Sequence, residues 1–172
     1  MKINFFKIFI ILIIFFVMGV FFKSLNKVTV YDTKNLVGKK ISKVELKNFK
    51  DEIFLTEVDL AKNKFTLINF WASWCSPCRK EHPFLLKLNK EKNIKLLGIN
   101  FKDNKNNAVS FLKELGDPYN YLARDELGKQ SINFGVYGIP ESILINEDLI
   151  VLEKFIGPLS NTDYELIREK IK

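Results

Sequence analysis

The chain has 172 residues, a hydrophobic fraction of 47% and a formal net charge of +7. This length allows one domain with a proper core and a short appendage, but hardly two domains. The positive charge comes from lysines scattered along the whole chain, without an arginine-rich cluster, so it predicts a solvated surface and no nucleic-acid partner. The chain contains only two cysteines, which excludes a disulfide-scaffolded secreted domain.

The N-terminal segment is almost entirely apolar over residues 3–22, and only Asn4, Lys7 and Gly19 interrupt it. A helix of about 20 apolar residues matches the thickness of a bilayer core. A cleaved signal peptide is the alternative, but the apolar run continues beyond the small-residue cleavage site at Gly19. We therefore predict an uncleaved anchor over residues 1–23. Its short basic N-terminus is expected to stay in the cytoplasm and to export the rest of the chain.

Residues 24–40 are polar and mixed, and we predict a linker there, followed by one domain over residues 41–172. Apolar and polar residues alternate over Ile41–Phe49, which predicts a strand of a small N-terminal hairpin. The continuous apolar run Phe65–Trp71 is typical of a central strand that is buried on both faces.

The remaining elements alternate between helices and strands and end with a strand pair and a closing helix. A clear stop signal, Gly116-Asp117-Pro118, ends one of the helices, and Ser160 is a suitable cap for the last one. Helices are predicted over residues 76–90, 106–115, 127–134 and from 161 onward, and strands over residues 95–101, 142–146 and 149–156. This order predicts an α/β sandwich with a mixed sheet.

The two cysteines, Cys75 and Cys78, form a single Cys-Ser-Pro-Cys motif where the predicted strand Phe65–Trp71 gives way to a helix. A thiol at a helix N-terminus faces unpaired N–H groups and the positive end of the helix dipole, which stabilise its thiolate. Cys75 is therefore predicted to be the exposed nucleophile. Cys78 lies almost one turn further along and is predicted to be buried. Pro77 fits the first turn, where its missing N–H is no loss.

A Cys-x-x-Cys pair is also half of a zinc site, and His82 lies four residues after Cys78 on the same helical face. The chain has no second Cys-x-x-Cys and no other histidine, so a full set of nitrogen and sulfur ligands cannot be assembled. Haem attachment would need a histidine where Arg79 stands. We therefore predict redox chemistry at the two thiols without a metal, flavin or nucleotide cofactor. His82 is expected to be partly buried without a catalytic task.

The stretch around the cysteines resembles the thioredoxin active site, and several later motifs resemble the CcmG/DsbE branch of cytochrome c maturation. The residues that carry the resemblance, which covers residues 36–172, are Phe70-Trp71-Ala72-Ser73-Trp74-Cys75-Ser76-Pro77-Cys78, Arg79-Lys80-Glu81-His82, Pro83, residues 98–103, residues 111–119 and Gly135-Val136-Tyr137-Gly138-Ile139-Pro140-Glu141. The resemblance implies a thioredoxin-like fold with a mixed central sheet, a small N-terminal β extension and one N-terminal transmembrane helix.

The resemblance also assigns expected roles to residues near the motif. In that fold the proline that Pro140 matches is cis and lies against the disulfide, so the backbone of Ile139 is expected to pair with a client peptide. Asn69 occupies the place of thioredoxin's buried aspartate, which accepts the proton of the second cysteine. Because an amide cannot titrate, Glu81 or Glu141 is expected to take this task. The alternative for Glu81 is a surface charge on a helix.

Three further side chains are candidates near the thiols. Trp74, next to the nucleophile, is expected to shield it, and Tyr137 and Asp125 are candidates for lining the client groove. The resemblance implies a thiol:disulfide oxidoreductase that reduces disulfides in apocytochrome c or in a cytochrome-maturation thiol protein. A membrane thiol transducer would supply its electrons, and the domain would lie on the periplasmic side of the inner membrane. The alternatives are a general extracytoplasmic thioredoxin and, from another class, a thiol-based metal-delivery module.

Overall fold

The computed structural model describes residues 5–25 and 36–172, which belong to two separate compact units. The first unit contains helix α1, Phe5–Leu25. Its segment Phe5–Lys23 is long and apolar enough to cross a membrane by length and composition, a test that a signal sequence also passes. The large apolar side chains of this segment are exposed to the surroundings along its whole length.

The second unit contains an α/β domain. Its elements are β1 (Glu45–Asn48), β2 (Phe54–Thr56), α2 (Glu57–Leu60), β3 (Phe65–Trp71), α3 (Ser76–Leu88), β4 (Ile94–Phe101), α4 (Lys105–Leu115), β5 (Tyr121–Asp125), α5 (Lys129–Asn133), β6 (Glu141–Asn146), β7 (Val151–Ile156) and α6 (Asn161–Lys170). Within the described residues, the strands form one sheet in the order β2-β1-β5-β4-β3-β6-β7. Strands β3, β4 and β5 are parallel, whereas β6 runs antiparallel to both β3 and β7. The hairpin β1–β2 extends the sheet beyond β5. The predicted thioredoxin-like fold with a mixed sheet is confirmed.

The strand β3 lies in the middle of this sheet and is buried on both faces, as its sequence predicts. Leu67 packs on one face with side chains of α3 and α6, and Ile68 and Phe70 pack on the other face. All three side chains are fully buried. Each such side chain contributes about 1.5–3 kcal/mol by leaving water. The carboxyl end of β3 is thereby held firmly where the cysteine motif begins.

The boundary between linker and domain differs from the prediction at its C-terminal end. The backbone N–H of Gly38 donates to the Val151 carbonyl at 2.8 Å, and the Val151 N–H donates to the Lys39 carbonyl at 2.9 Å. Leu36 packs against the core. Residues 36–40 are therefore part of the domain and not of a linker. The rest of the predicted linker, beyond the end of α1, lies outside the described residues.

The strand β5 and the elements β2 and α2 were not predicted from the sequence. Strand β5 has the sequence Tyr-Leu-Ala-Arg-Asp, in which neither a continuous apolar run nor a strict alternation is visible. Its strand conformation comes from its position between β4 and β1, which supply hydrogen bonds on both sides. The strand conformation of β5 is therefore determined by pairing with its neighbours, since its local sequence favours no particular secondary structure.

One prediction concerns the close approach of β4 and the loop before β5. A Cβ atom on Gly98 would lie 2.8 Å from ring carbons of Tyr119, whose hydroxyl donates to Asn69 Oδ1 at 2.7 Å. Gly98→Ala should therefore displace that ring and lower the free energy of unfolding by about 1–3 kcal/mol, measured by urea denaturation. Gly138→Ala is the control, because a Cβ there meets no atom within 4 Å. Equal effects of the two changes would contradict this packing.

Candidate active site

The two cysteines lie where β3 gives way to α3. Cys75 is the N-cap of α3, and its Sγ accepts a hydrogen bond from the backbone N–H of Cys78 at 3.2 Å. The two form a disulfide with an S–S distance of 2.04 Å. Pro77 lies in the first helical turn, where no hydrogen bond needs its N–H, and Pro83 lies within the helix. The N–H groups at this helix end stabilise a thiolate on Cys75.

Both cysteines are buried, whereas the sequence predicted an exposed Cys75 and a buried Cys78. Cys75 is 4% exposed and Cys78 is 2% exposed, and both belong to a cluster with Trp71 and Phe111. The prediction of an exposed Cys75 is therefore wrong for the disulfide form, because this apolar cluster covers both residues. The neighbouring side chains Trp74, Ser76 and Pro77 are exposed instead, and Trp74, which is 59% exposed, donates its Nε1–H to the Lys102 carbonyl at 3.2 Å.

The turn before the disulfide is fixed by Asp103, which sequence reasoning did not single out for a role. Its carboxylate accepts hydrogen bonds from the Ser73 N–H at 2.6 Å and the Ser73 hydroxyl at 2.7 Å. It also accepts from the Asn100 side chain at 2.9 Å and the Asn104 N–H at 2.8 Å. The signal in the sequence is an acidic residue two positions after the end of β4, since parallel strands β3 and β4 end at the same edge of the sheet.

Glu81 is completely buried, so its interpretation as a surface charge is wrong. Its Oε1 accepts a hydrogen bond from the Asn69 side-chain amide at 2.8 Å, and its Oε2 accepts one from the Leu159 N–H at 2.9 Å. Asn69 is itself held, because its amide donates to the Ser142 hydroxyl at 3.0 Å and its carbonyl accepts from Tyr119. Asn69 thus orients the buried Glu81 carboxyl through a hydrogen bond without itself being able to titrate.

Burial raises the pKa of Glu81 from its ordinary value of 4.5 to about 7, and the hydrogen bonds from Leu159 and Asn69 lower it only partly. Within the described residues, no basic side chain forms an ion pair with Glu81. Glu81 follows Cys78 by three residues on α3, and such residues are neighbours on one helix face. A carboxyl group that titrates near neutral pH therefore lies beside the buried cysteine.

Glu141 has a different environment, although it is also buried, with 4% exposure. Its Oε1 accepts hydrogen bonds from the backbone N–H groups of Tyr137 and Gly138, each at 3.2 Å. Its Oε2 lies 3.0 Å from the ammonium of Lys154. The Glu141 carboxylate is thus turned toward its own loop and toward β7, and these contacts do not make it a proton acceptor for Cys78.

The loop before β6 lies against the disulfide cluster. The peptide bond between Ile139 and Pro140 is cis, which confirms the expectation from the resemblance. The side chain of Ile139 packs against the cluster that contains Cys75 and Cys78. Tyr137, two residues earlier, is 69% exposed. The loop therefore places Ile139 against the cluster that contains both cysteines, and it carries an exposed aromatic side chain two residues earlier.

Two other candidates have structural contacts. Asp125 accepts hydrogen bonds from the Ser131 N–H at 2.7 Å and the Ser131 hydroxyl at 2.8 Å, so its carboxylate fixes α5 to the end of β5. The Nε2 of His82 lies 2.8 Å from the Gly116 carbonyl, and its ring meets Phe111 edge-on. Burial lowers the pKa of His82, which favours the neutral ring. Neither contact set indicates a catalytic role.

A redox-active cysteine pair at a helix N-terminus, on a thioredoxin-like sheet and beside a titratable buried carboxyl, defines a thiol:disulfide oxidoreductase. Residues 36–167 match the Redoxin family. The chain is 40% identical over 136 residues to the thiol:disulfide interchange protein HelX of Rhodobacter capsulatus, covering 79% of this chain and 75% of the relative. It is 37% identical over 138 residues to DsbE of Escherichia coli K12, covering 80% and 72%. With CycY of Rhizobium leguminosarum it shares 50% identity over 100 residues, covering 58% of this chain but only about half, 54%, of CycY.

Solved structures agree with this assignment. A DsbE candidate from Chlorobium tepidum superimposes with a TM-score of 0.66 at 26% identity, covering 78% of this chain and 94% of that one. StoA from Bacillus subtilis, at 22% identity and a TM-score of 0.59, shares the fold and covers 77% of this chain and 98% of its own. The chain belongs to the CcmG/DsbE family, the thioredoxin-like thiol:disulfide interchange proteins of cytochrome c maturation.

The raised pKa of Glu81 predicts how stability depends on pH. Between pH 4.5 and about 7 the folded protein keeps a proton that the unfolded chain releases. The free energy of unfolding should therefore fall as the pH rises through this window, by up to about 3 kcal/mol, and stay low above it. Glu81→Gln should abolish this part of the slope in urea denaturation at a series of pH values.

The control for this measurement is Glu165→Gln, which changes an exposed glutamate paired with Arg168 at 3.2 Å. This variant should keep the slope of the unchanged protein. An identical slope in Glu81→Gln would show that Glu81 ionises at the same pH in the folded and unfolded chain.

Proposed function

We propose that this protein is a membrane-anchored, extracytoplasmic reductant of disulfides in apocytochrome c, or in a thiol protein that carries the same oxidising equivalent. The observation that carries the proposal is the environment of the two thiols. Cys75 is at a helix N-terminus that stabilises its thiolate, while Cys78 lies beside the buried carboxyl of Glu81. Membership of the CcmG/DsbE family supports the client class.

The reaction needs only thiolate chemistry. In the reduced protein, the Cys75 thiolate attacks one sulfur of the client disulfide, and the other client sulfur leaves as a thiolate that takes up a proton. The product is a mixed disulfide between Cys75 and the client. The Cys78 thiolate then attacks Cys75 Sγ, the second client sulfur leaves, and the protein keeps a Cys75–Cys78 disulfide. The client gains two electrons from the protein, and its two thiolates take up protons from water, to which the protein releases the protons of its two thiols.

The second step requires that Cys78 lose its proton inside an apolar cluster, where a thiolate is disfavoured. We propose Glu81 as the acceptor of that proton. A carboxyl with a pKa of about 7 is largely ionised only at slightly alkaline pH, and it therefore holds a proton more readily than an ordinary glutamate. Glu141 fits this role less well, because both of its oxygens are engaged with the loop and Lys154.

The apolar helix α1 and the family support a proposal for the cellular arrangement. We propose that α1 stays in the inner membrane as a single span and that the domain works on the periplasmic side, as suits a dithiol that must meet exported clients. Re-reduction of the Cys75–Cys78 disulfide then requires electrons from across the membrane. A membrane thiol transducer is the class of partner that supplies them.

The division of labour between the thiols predicts the outcome of trapping in cells. Full-length Cys78→Ser should accumulate mixed disulfides, because the second step cannot occur, and Cys75→Ser should accumulate none. Non-reducing gels and mass spectrometry of the adducts are the measurement, and apocytochrome c peptides should be among the trapped clients. Equal trapping by both variants would refute the assignment of attack to Cys75. Trapping of many unrelated exported proteins would instead indicate a general extracytoplasmic thioredoxin.

A further inference from the structure

Lys154 is a lysine in the middle of strand β7 whose side chain is completely buried. A buried ammonium is costly unless its charge is compensated and its protons are hydrogen-bonded. Lys154 Nζ donates to the Gly135 carbonyl at 2.6 Å and lies 3.0 Å from Glu141 Oε2. These two contacts are at the two ends of the segment 135–141, which precedes β6.

Glu141, the last residue of this segment, also forms hydrogen bonds within it. While its Oε1 accepts the N–H groups of Tyr137 and Gly138, its Oε2 accepts no hydrogen bond of good geometry within the described part of the chain. The ammonium of Lys154 is therefore what compensates the charge of this buried carboxylate. Without Lys154, the buried carboxylate would lose its charge compensation and would be driven to turn toward water, so that the loop N–H groups would lose their acceptor.

The position of the segment 135–141 is important because the segment contains Ile139. Ile139, near its middle, packs against the cluster that contains Cys75 and Cys78. A shift of the loop would therefore move the backbone next to the disulfide without touching either cysteine. Such a shift would weaken the binding of a client whose polypeptide lies along this backbone. It would not change the reaction of a small disulfide that contacts only the Cys75 thiolate.

We propose that Lys154 is a positioning residue that, through Glu141, fixes the segment 135–141 as the docking surface for the client polypeptide. The proposal rests on the proposed function for the nature of the client, a peptide with a Cys-x-x-Cys disulfide. Lys154 touches neither the client nor the sulfurs, so its effect should appear in client binding and not in thiol chemistry.

The test uses the full-length protein in detergent and follows reduction of an oxidised Cys-x-x-Cys-His peptide, with a small dithiol that re-reduces the Cys75–Cys78 disulfide and whose uncatalysed rate with the peptide is subtracted. Lys154→Met keeps the apolar stem and removes the charge, and it should raise KM for the peptide about tenfold while kcat stays within about twofold. The rate at which the reduced protein reacts with the small disulfide 5,5′-dithiobis(2-nitrobenzoate) should stay unchanged. A residue that served only folding would not separate KM from kcat in this way.

Glu141→Gln is a second variant that tests the same ion pair, so the proposal can be tested even if Lys154→Met does not fold. It should raise KM in the same way, and the double variant should be no worse than the more affected single variant, because both changes disturb one interaction. The control is Lys170→Met, since Lys170 pairs with Glu153 of the same strand at 3.5 Å without touching the loop. Its KM should equal that of the unchanged protein.

Two results would overturn the proposal while the proposed function stands. One is an unchanged KM in folded Lys154→Met or, where that variant does not fold, in Glu141→Gln. The other is a parallel loss of peptide reduction and small-disulfide reactivity, which would indicate general disruption of the site. If the unchanged protein fails to reduce the peptide, the proposed function fails, and the client role of Lys154 fails with it.

Discussion

The burial of the Glu81 carboxyl, which has no cationic partner within the described residues, is the constraint on which the site depends. The group is on the buried face of the active-site helix, and in the described part of the chain it accepts hydrogen bonds from neutral donors, the Asn69 amide and the Leu159 N–H. In such a place the charged form is disfavoured, so the proton leaves only near neutral pH. Because Cys78 lies one helical turn away, the burial of Glu81 sets the pKa of the group that we propose accepts the proton of Cys78.

The domain holds this carboxyl in place by distant parts of the chain. Asn69 belongs to the central strand β3, its neighbour Ser142 belongs to β6, and Leu159 precedes α6. Tyr119 closes the network from the loop before β5. The proposed proton acceptor is therefore held by strands of the sheet and by the segment that precedes the closing helix, and the amide of Asn69 orients it by a hydrogen bond without titrating.

Glu141 illustrates how a different partner changes the role of a buried carboxylate. Its charge is compensated by the ammonium of Lys154, and its second oxygen accepts two backbone N–H groups. A carboxylate held in this way is suited to fixing a loop, whereas Glu81 is suited to accepting a proton. In the proposed mechanism the two glutamates serve one reaction in two ways, Glu81 at the sulfur and Glu141 at the surface where we propose that a client binds.

Much of this organisation was predictable from the sequence. The apolar run of β3 and the Cys-Ser-Pro-Cys motif predicted a buried strand followed by a helix, and the resemblance predicted the cis bond before Pro140. The choice between Glu81 and Glu141 was not predictable, because it depends on which partners burial brings to each carboxyl. Lys154 was missed for the same reason. The only signal was a lysine at an inward position of an otherwise largely apolar strand.

The most direct test of the account is a single-turnover experiment with the reduced protein and an oxidised Cys-x-x-Cys-His peptide at a series of pH values. The account predicts two phases, formation of the mixed disulfide and release of the reduced peptide, of which the second should accelerate through about pH 7. In Glu81→Gln the second phase should be about 100-fold slower at alkaline pH and lose this inflection, while the first phase is unchanged. A second phase with the same rate and pH profile in both proteins would contradict the role of Glu81.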